Sequence, residues 1–254
     1  MTRALLFVLV LMLSAIVNLR AGEIRLAAGE YQPYTSADLP DGGMLGELTR
    51  RAFALSGYQL HIEFLPWARA VLDMQQGQYD GLMAIWPDKA VTEKLIFSRP
   101  LAYSELGFFV RLNSPVPLNF PNPLNPVDPT SQLKGQTVGT VRGYCYPQNI
   151  MSSGIVAEDS VDDLRNLRKL AARRFDFVLL EKHVGLYLLG QQPDLQQKLV
   201  WQAPVLDRLP LFVGFAASKV GQPDWPTIYE LGLKQLLKSG EYQRILQKYG
   251  IAMP

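Results

Sequence analysis

The chain contains one short pattern twice, and this repeat constrains the fold. Residues 78–85 and 174–181 each place an aromatic residue and an aspartate directly before an apolar strand, and each follows an amphipathic stretch with helical spacing. Two strands built alike, each preceded by a helix, predict two α/β lobes rather than one continuous sheet. Because small ligands usually bind in a cleft between lobes, we expect the function there.

The amino terminus has the composition of a secretory signal. A basic start precedes an uncharged apolar run over residues 4–17, shorter than the roughly 20 apolar residues that a membrane-spanning helix needs. Cleavage is expected near Ala21, but the match to the small-x-small pattern is poor, so an uncleaved anchor stays an alternative. The single cysteine, Cys145, is too distant to become a lipid-modified terminus. We predict a signal peptide over residues 1–21 and a soluble periplasmic protein.

The charge balance argues against nucleic acid as a partner. Residues 1–21 contain Arg3 and Arg20 and no acid, so removing them lowers the 25 basic residues to 23, which equals the 23 acidic ones. Nucleic-acid binding needs a basic patch that displaces phosphate counterions. One cysteine also forbids an internal disulfide, so an apolar core must stabilise the fold, and 48% hydrophobic residues suffice for one. We expect a monomer.

The first half of the mature chain predicts alternating strands and helices. Residues 23–28, 59–65 and 79–86 have strand patterns. The stretches between them have apolar residues at helical spacing, in the second case with Trp67 and Met74 on one face. This order implies parallel pairing through right-handed crossovers.

A second series of strands and helices follows. Strands are predicted near residues 138–141, 155–157 and 175–180. Ser160, with Asp163 three residues later, resembles a capping box for the intervening helix. This series alone has few strands for a complete domain.

Two crossings between the lobes are expected. Residues 113–129 contain six prolines, which cannot continue a helix or a central strand, so we interpret this segment as the first crossing. The chain is expected to cross back near residues 205–209, which returns the last two helices to the first lobe. The predicted limits are residues 22–112 plus 208–254 for the first lobe and 113–207 for the second. Two crossings make a natural hinge.

Short phrases along the mature chain carry a family resemblance. They are Tyr31-Gln32-Pro33-Tyr34, Trp67-Ala68-Arg69-Ala70, Gly77-Gln78-Tyr79-Asp80-Gly81, Phe97-Ser98-Arg99-Pro100, Leu133-Lys134-Gly135-Gln136-Thr137-Val138-Gly139, Phe175-Asp176-Phe177-Val178 and Gly240-Glu241-Tyr242-Gln243-Arg244-Ile245-Leu246-Gln247-Lys248-Tyr249. In this order, the sequence resembles the type II periplasmic solute-binding proteins, specifically family 3, the polar amino-acid receptors of ABC importers.

The resemblance implies a fold and a mechanism. The fold is α/β and two-lobed, with a mainly parallel sheet flanked by helices in each lobe and two hinge crossings, the Venus flytrap arrangement. The lobes close on a small solute, which favours the closed state through its extra contacts there, and an ABC permease in the inner membrane accepts the cargo. A periplasmic sensor for a membrane signalling protein is the alternative role, since both need a ligand-dependent surface.

The family's carboxylate-binding arginine has no counterpart here. In the amino-acid receptors it lies shortly before the Phe-Ser-x-Pro phrase, whereas this interval offers only Lys89 and Lys94. An ammonium lacks the planar fork for bidentate carboxylate recognition. Arg69, on a helix, and Arg142, at a strand-to-helix turn, are the alternative anion ligands. Their competing interpretations are a surface salt bridge and a solvated turn arginine.

Glu181 occupies the position that the resemblance assigns to the carboxylate for the ligand amine. It lies five residues after Asp176, at the end of a strand, where side chains point toward the ligand crevice. The alternative is a charge at the start of a helix. We expect Asp80 and Asp176 to be turn or cap acceptors.

Aromatic residues are the last part of the predicted site. Several of them are placed to enclose an apolar or cationic ligand body, with plain packing as the alternative for each ring. The complete predicted ligand-binding set is Tyr31, Tyr34, Trp67, Arg69, Trp86, Arg142, Tyr144, Tyr146 and Glu181.

An enzyme is the rival class, because the same fold hosts a dehydratase that acts on cyclohexadienyl substrates. His183 lies two positions after Glu181, which allows an acid–base pair. The sequence has no Gly-x-Ser-x-Gly elbow, no His-Glu-x-x-His, no clustered Cys/His ligands and no phosphate loop. We therefore expect a binding protein without catalytic residues, metal or cofactor.

Overall fold

The computed structural model describes residues 22–87, 94–114, 133–217 and 221–252. The predicted signal peptide, most of the proline-rich segment and Lys89 lie outside these described residues. Within the described ranges, no helix is long and apolar enough to cross a membrane.

Strands and helices alternate along most of the described chain. The strands are β1 (Glu23–Ala28), β2 (Gln59–Phe64), β3 (Gly81–Ile85), β4 (Leu95–Phe97), β5 (Ala102–Arg111), β6 (Thr137–Val141), β7 (Val156–Ser160), β8 (Phe177–Glu181) and β9 (Leu199–Ala216). The helices are α1 (Gly43–Leu55), α2 (Trp67–Gln75), α3 (Gln148–Met151), α4 (Asp163–Ala171), α5 (Lys182–Gly190), α6 (Pro193–Gln196), α7 (Trp225–Ser239) and α8 (Glu241–Lys248), and a short 3₁₀ turn, Pro40–Gly42, precedes α1.

The first lobe is built on the predicted parallel strands. β1 pairs in parallel with β2 and β3, and the end of β9 adds antiparallel pairing to β3 and β4. Helices α1 and α7 pack closely, because Gly232 lies so near the backbone of Ala52 that a Cβ atom there would overlap it. Phe53 stacks on Tyr229 beside this contact, with ring centroids 5.3 Å apart. The C-terminal helices therefore belong to the first lobe's core.

The second lobe repeats this plan. β6 pairs in parallel with β7 and β8, and β8 pairs antiparallel with β5. Phe108 of β5 and Phe177 of β8 are fully buried, with ring centroids 5.5 Å apart. Helix α5 covers this sheet through Gly185, where a Cβ atom would overlap the ring of Phe109. Each lobe thus has its own parallel strands, as the repeat predicts. Pairing along β9 nevertheless links both sets into one nine-stranded order, so the expectation that the sheet is not continuous is wrong.

The repeated aspartates contact the backbone or a structural arginine. Asp80 Oδ2 accepts a hydrogen bond from the backbone N–H of Arg25 at 2.8 Å, which ties the start of β3 to β1. Asp176 accepts from the guanidinium of Arg111 before β8 begins. Both aspartates are acceptors within the fold, but their donors are distant in sequence and do not belong to the turn or helix cap that we expected.

Two long strands join the lobes. β5 and β9 pair antiparallel from Ala102 with Leu211 to Arg111 with Leu199, and the strand order is β2-β1-β3-β9-β5-β8-β6-β7, with β4 also on β9. The predicted return crossing near residues 205–209 lies within β9. The predicted lobe limits stay a prediction.

β9 is much longer than the sequence indicates. The predicted strand begins at Leu211, whereas β9 begins at Leu199. Prolines obscure the strand pattern, since proline removes a ladder donor. Pro204 is tolerated because it lies in the stretch between Gln202 and Asp207, where the pairing register with β5 is interrupted.

Candidate functional site

The loops that follow the parallel strands meet where the two lobes face each other. In open α/β sheets, ligands bind beyond the carboxyl ends of such strands. In the first lobe, Tyr31 and Tyr34 follow β1 and Trp86 follows β3. In the second lobe, Tyr144 and Tyr146 follow β6. Three loops therefore supply all five rings.

These five rings form one aromatic cluster that both lobes build. Tyr31 stacks on Tyr34 with centroids 5.6 Å apart, and it meets Trp86 and Tyr144 edge-on at 6.1 and 6.0 Å. Trp86 also contacts Tyr144 and Tyr146, each at 6.1 Å. Edge-to-face pairs at these distances are attractive beyond their apolar burial. The structure thus brings together all five predicted enclosure rings.

A narrow cavity, with about 30 Å³ of space for a bound molecule, adjoins the aromatic cluster. Its lining residues are Gly29, Tyr31, Trp67, Ala84, Trp86, Tyr144 and Cys145. Small-ligand pockets likewise have mainly apolar walls with a few polar groups. The predicted residue Trp67 belongs to this wall. Ala84 adopts a φ of +56°, a left-handed conformation that is uncommon outside glycine and found often at functional sites.

The lobes touch beside this cavity. A Cβ atom on Gly143, in the turn after β6, would lie 3.2 Å from the Cβ atom of Ala68 at the start of α2. The φ of Gly143 is +81°, which also favours glycine. A larger residue at position 143 would press against the first lobe. Gly143 therefore permits the observed approach of the two lobes.

Asp163 is a buried carboxylate at the interface of the lobes. It is 4% exposed, and its Oδ2 atom accepts a hydrogen bond from the hydroxyl of Tyr144 at 3.0 Å. Among the residues that the structure describes, its Oδ1 atom has no hydrogen-bond partner. Burial raises the pKa of Asp163 from 3.8 to about 7, opposed by the Tyr144 hydrogen bond and reinforced by Asp162 and Glu181.

The role predicted for Asp163 from the sequence is wrong. The sequence predicts Asp163 as the partner of Ser160 in a capping box, but the N-cap of α4 is Asp162, whose side chain accepts from the backbone N–H of Arg165 at 2.7 Å. Ser160 still belongs to β7. Once Asp162 caps the helix, its neighbour is free to face the other lobe. Two adjacent aspartates at a helix start were the available signal.

Glu181 is a second buried carboxylate, and protein donors occupy it fully. Its Oε2 atom accepts from the backbone N–H of Val184 at 2.7 Å, so Glu181 is the N-cap of α5. Its Oε1 atom accepts from the Tyr34 hydroxyl at 3.2 Å and from the Glu105 backbone N–H at 3.1 Å, and it lies 2.9 Å from His183 Nδ1. The hydrogen bond to Glu181 raises the pKa of His183, so the imidazolium form is favoured. A role for Glu181 toward a ligand cation stays a prediction.

The two predicted anion ligands differ in their availability. Arg69 donates from Nε to Asp73 at 2.6 Å, an i,i+4 pair on α2. Arg142 is exposed and makes no side-chain hydrogen bond or ion pair with any described residue. Among the described residues, Arg142 thus has no carboxylate partner, whereas Arg69 has one.

A second, more polar cavity of about 370 Å³ is lined by Asp163. Glu30 and Gln32 line it from the first lobe, and Asp162, Asp163, Arg165 and Arg168 from the second. Tyr144 lines the first cavity while its hydroxyl reaches Asp163, so this hydrogen bond lies at the junction of the two. In the described part of the chain, no group of three or more His, Cys, Asp or Glu side chains is arranged to hold a metal ion.

The architecture and the comparisons define the class of protein to which this chain belongs. The molecule has the two-lobed type II fold of periplasmic binding proteins, with the aromatic cluster in its cleft. The model of the bacterial extracellular solute-binding proteins, family 3, matches residues 25–252, and the chain belongs to this family. In sequence, no curated protein matches the chain significantly.

Solved structures share the fold at low sequence identity. A histidine kinase sensor domain with similarity to periplasmic binding proteins is 22% identical, with a TM-score of 0.77, covering 92% of this chain and 99% of that one. The substrate-binding protein of an amino acid ABC transporter is 16% identical, with a TM-score of 0.74 and coverage of 90% and 99%. An ancestral arginine-binding protein bound to arginine is 17% identical, with a TM-score of 0.73 and coverage of 90% and 98%.

Proposed function

We propose that this protein binds a small polar solute in the periplasm, an amino acid or a related amine or carboxylate, and delivers it to an ABC permease of the inner membrane. Family membership supports a ligand-binding role. The observation that carries the proposal is the aromatic cluster, because both lobes contribute rings to it beside one cavity.

This arrangement couples binding to lobe closure. A solute held by Tyr31 and Trp86 gains contact with Tyr144 only when the second lobe approaches. A ligand shifts a conformational equilibrium by the difference in its affinity for the two states, and a swing from 1:99 to 99:1 needs about 5.5 kcal/mol. Ring contacts and charged hydrogen bonds from the second lobe are the source of this difference. Arg142, which lies in that lobe and has no carboxylate partner among the described residues, is the better candidate for a ligand carboxylate.

Calorimetry on the mature chain tests the proposal. A thermal-shift screen of amino acids, amines and small carboxylates identifies a solute, since a ligand that binds the folded state raises the melting temperature. Its dissociation constant is then measured for Trp86→Ala and for the control Trp201→Ala. Trp201 packs on Phe109 within the second lobe, away from the cavity. We expect at least a tenfold loss of affinity for Trp86→Ala and little change for Trp201→Ala.

Small-angle scattering provides the second measurement. Addition of the solute is expected to reduce the radius of gyration as the lobes close. Equal affinities for Trp86→Ala and the unmodified protein, or no solute and no change in scattering across the screen, would refute a binding site in this cleft.

A sensory role is the second candidate, and the similarity to a histidine kinase sensor domain favours it. Both roles use the same cleft and differ in the protein that contacts the closed form. Neighbouring genes for a permease and an ATPase support import, whereas a lone gene beside a signalling protein supports sensing. We propose no catalysis, and turnover of prephenate-like substrates would contradict this part.

A further inference from the structure

We propose, resting on the binding function above, that Asp163 receives the cationic group of the ligand and that this ligand is a primary amine with an apolar body. No carboxylate on the ligand is then required. The juxtaposition that carries this inference is an unpartnered buried carboxylate oxygen beside the aromatic cluster, at the surface where the lobes meet.

The first argument is the incomplete hydrogen bonding of Asp163. A buried carboxylate oxygen without a donor costs free energy, and native structures contain few such atoms. Within the described residues, Oδ1 of Asp163 lacks any such donor, although Oδ2 accepts from Tyr144 at 3.0 Å. A ligand ammonium supplies both the missing donor and the compensating charge.

The second argument is a matching group on the first lobe. The hydroxyl of Tyr31 is also buried and also has no hydrogen-bond partner in the described part of the chain. Its ring contacts the ring of Tyr144, whose hydroxyl binds Asp163. Because Tyr31 and Asp163 belong to different lobes, separation of the lobes exposes both groups to solvent. An ammonium that donates to Asp163 and to the Tyr31 oxygen would hold the lobes together.

Glu181 is poorly suited to the same task. Protein donors already occupy both of its oxygens, including the backbone N–H groups of Val184 and Glu105. A ligand ammonium would have to displace His183 or Tyr34 from it. Asp163 needs no such exchange, so it is the carboxylate with remaining hydrogen-bonding capacity.

The surroundings select the chemistry of the ligand. An unpartnered acceptor calls for a cation with N–H donors, which a primary ammonium has and a quaternary ammonium lacks. The adjoining cavity wall is mostly aromatic and includes Trp67 and Trp86, which suits an apolar body next to a cation. The lining of this aromatic cavity contains no arginine or lysine, whereas the second cavity, which Asp163 itself lines, contains Arg165 and Arg168. An apolar body in the aromatic cavity therefore meets no cation that would pair with a carboxylate.

The protonation of Asp163 supplies a second readout. The groups that face its carboxyl are Tyr144, Asp162 and Glu181, with Tyr31 and Tyr146 nearby. With a pKa of about 7, Asp163 is largely protonated at pH 5.5. Ammonium binding favours the carboxylate, so proton release should accompany it. Calorimetry in two buffers of different ionisation enthalpy measures this release.

The experiment uses three probes of one shape. Isopentylamine carries the ammonium, leucine adds a carboxylate, and isopentanol lacks the charge. Titrations at pH 7.5 compare the unmodified protein with Asp163→Asn, with its neighbour Asp162→Asn as the matched control, and with Glu181→Gln. Asparagine retains the N-cap function at position 162. We expect isopentylamine to bind at least as tightly as leucine, isopentanol to bind at least tenfold more weakly, and Asp163→Asn to lose at least tenfold in affinity for the amine.

The outcomes separate the two proposals. Unchanged amine affinity in a folded Asp163→Asn protein, or binding at pH 5.5 without proton release, would overturn the role of Asp163. A failure of isopentylamine to bind, while another solute of the screen binds and Trp86→Ala weakens it, would overturn the ligand class and leave the binding function intact. If no solute binds and scattering does not change, both proposals fail.

Discussion

Two helices of the second lobe, α4 and α5, each have a buried carboxylate at their start, and the two carboxylates differ in their hydrogen bonding. At the start of α5, Glu181 is 1% exposed and accepts from backbone, tyrosine and histidine donors. At the start of α4, Asp163 is 4% exposed, and one of its oxygens has no donor in the described chain. Burial is nearly equal, whereas hydrogen-bond satisfaction is not. Satisfaction therefore separates a structural carboxylate from a candidate ligand contact better than burial does.

The difference arises from how each helix is capped. Glu181 is itself the N-cap of α5, so its position is fixed by the helix that it starts. At α4, Asp162 is the cap, and Asp163 lies one residue further along, where its side chain meets Tyr144. In both helices the capping carboxylate accepts a hydrogen bond from a backbone N–H group of the first turn. Only α4 has a second carboxylate beyond the cap.

The largest effect is expected for Glu181→Ala. This variant leaves the Val184 and Glu105 N–H groups, the Tyr34 hydroxyl and the His183 ring without their acceptor. Removing one partner from a buried charged network costs about 3–5 kcal/mol. Urea unfolding followed by circular dichroism measures the change in the free energy of unfolding.

The control for this variant is Glu105→Ala. The Glu105 carboxylate is 24% exposed and pairs with Lys182 at 2.7 Å. An ion pair close to the surface contributes about 0–1 kcal/mol, so this substitution should be mild. Equal losses for Glu105→Ala and Glu181→Ala would mean that Glu181 is not the structural carboxylate of the pair.

The next largest effect is a pH-dependent gain for Asp163→Asn. The pKa of Asp163 is about 7 in the folded protein, against 3.8 without burial, so the folded state holds the proton more tightly. Its contribution to stability is therefore present at low pH and is lost as the pH rises from about 4 to about 7. A shift of this size corresponds to about 4 kcal/mol. Asparagine removes the titration, so Asp163→Asn should be more stable than the parent at pH 8 and similar at pH 4.

Melting curves without added solute, recorded from pH 4 to pH 8, check this expectation. The groups around Asp163 are Tyr144, Asp162 and Glu181, and Asp162→Asn serves again as the control. A parallel pH profile for Asp163→Asn and the parent would show that the buried carboxyl does not titrate in this range. The contrast with Glu181 would then lose its electrostatic basis.

Local patterns and the family resemblance predicted the fold well, but they predicted the contrast between Glu181 and Asp163 only in part. The alternation at residues 23–28 and the apolar spacing around α1 depend on neighbours in sequence, so β1 and α1 were readable. The five rings of the aromatic cluster were identified by residue type. The open oxygen of Asp163 depends on which of two adjacent aspartates caps α4 and on where Tyr144 lies, and no local pattern encodes that. The length of β9 was missed because Pro204 disguises a strand whose pairing tolerates it.

The smallest expected effect on stability is the difference between phenylalanine variants of two tyrosines in one loop. Tyr34 donates to Glu181 at 3.2 Å across the lobes, whereas the Tyr31 hydroxyl has no partner in the described chain. A typical hydrogen bond contributes about 0.5–1.5 kcal/mol, so Tyr34→Phe should destabilise the protein by about 1 kcal/mol. Tyr31→Phe removes an unsatisfied buried hydroxyl and should leave stability unchanged or slightly higher.

The order of the two variants should reverse when their affinity for an amine is measured instead of their stability. If the Tyr31 oxygen contacts a ligand ammonium, Tyr31→Phe weakens isopentylamine binding even though the folded protein is no less stable. Tyr34→Phe leaves the Tyr31 contact to the amine in place and loses the Tyr34 contacts to Glu181 and His183, so its affinity should change less. Urea unfolding and calorimetry on both variants measure the two orders. A larger stability loss for Tyr31→Phe than for Tyr34→Phe would contradict the assignment, since hydrogen-bond satisfaction would then not distinguish fold contacts from ligand contacts in this cleft.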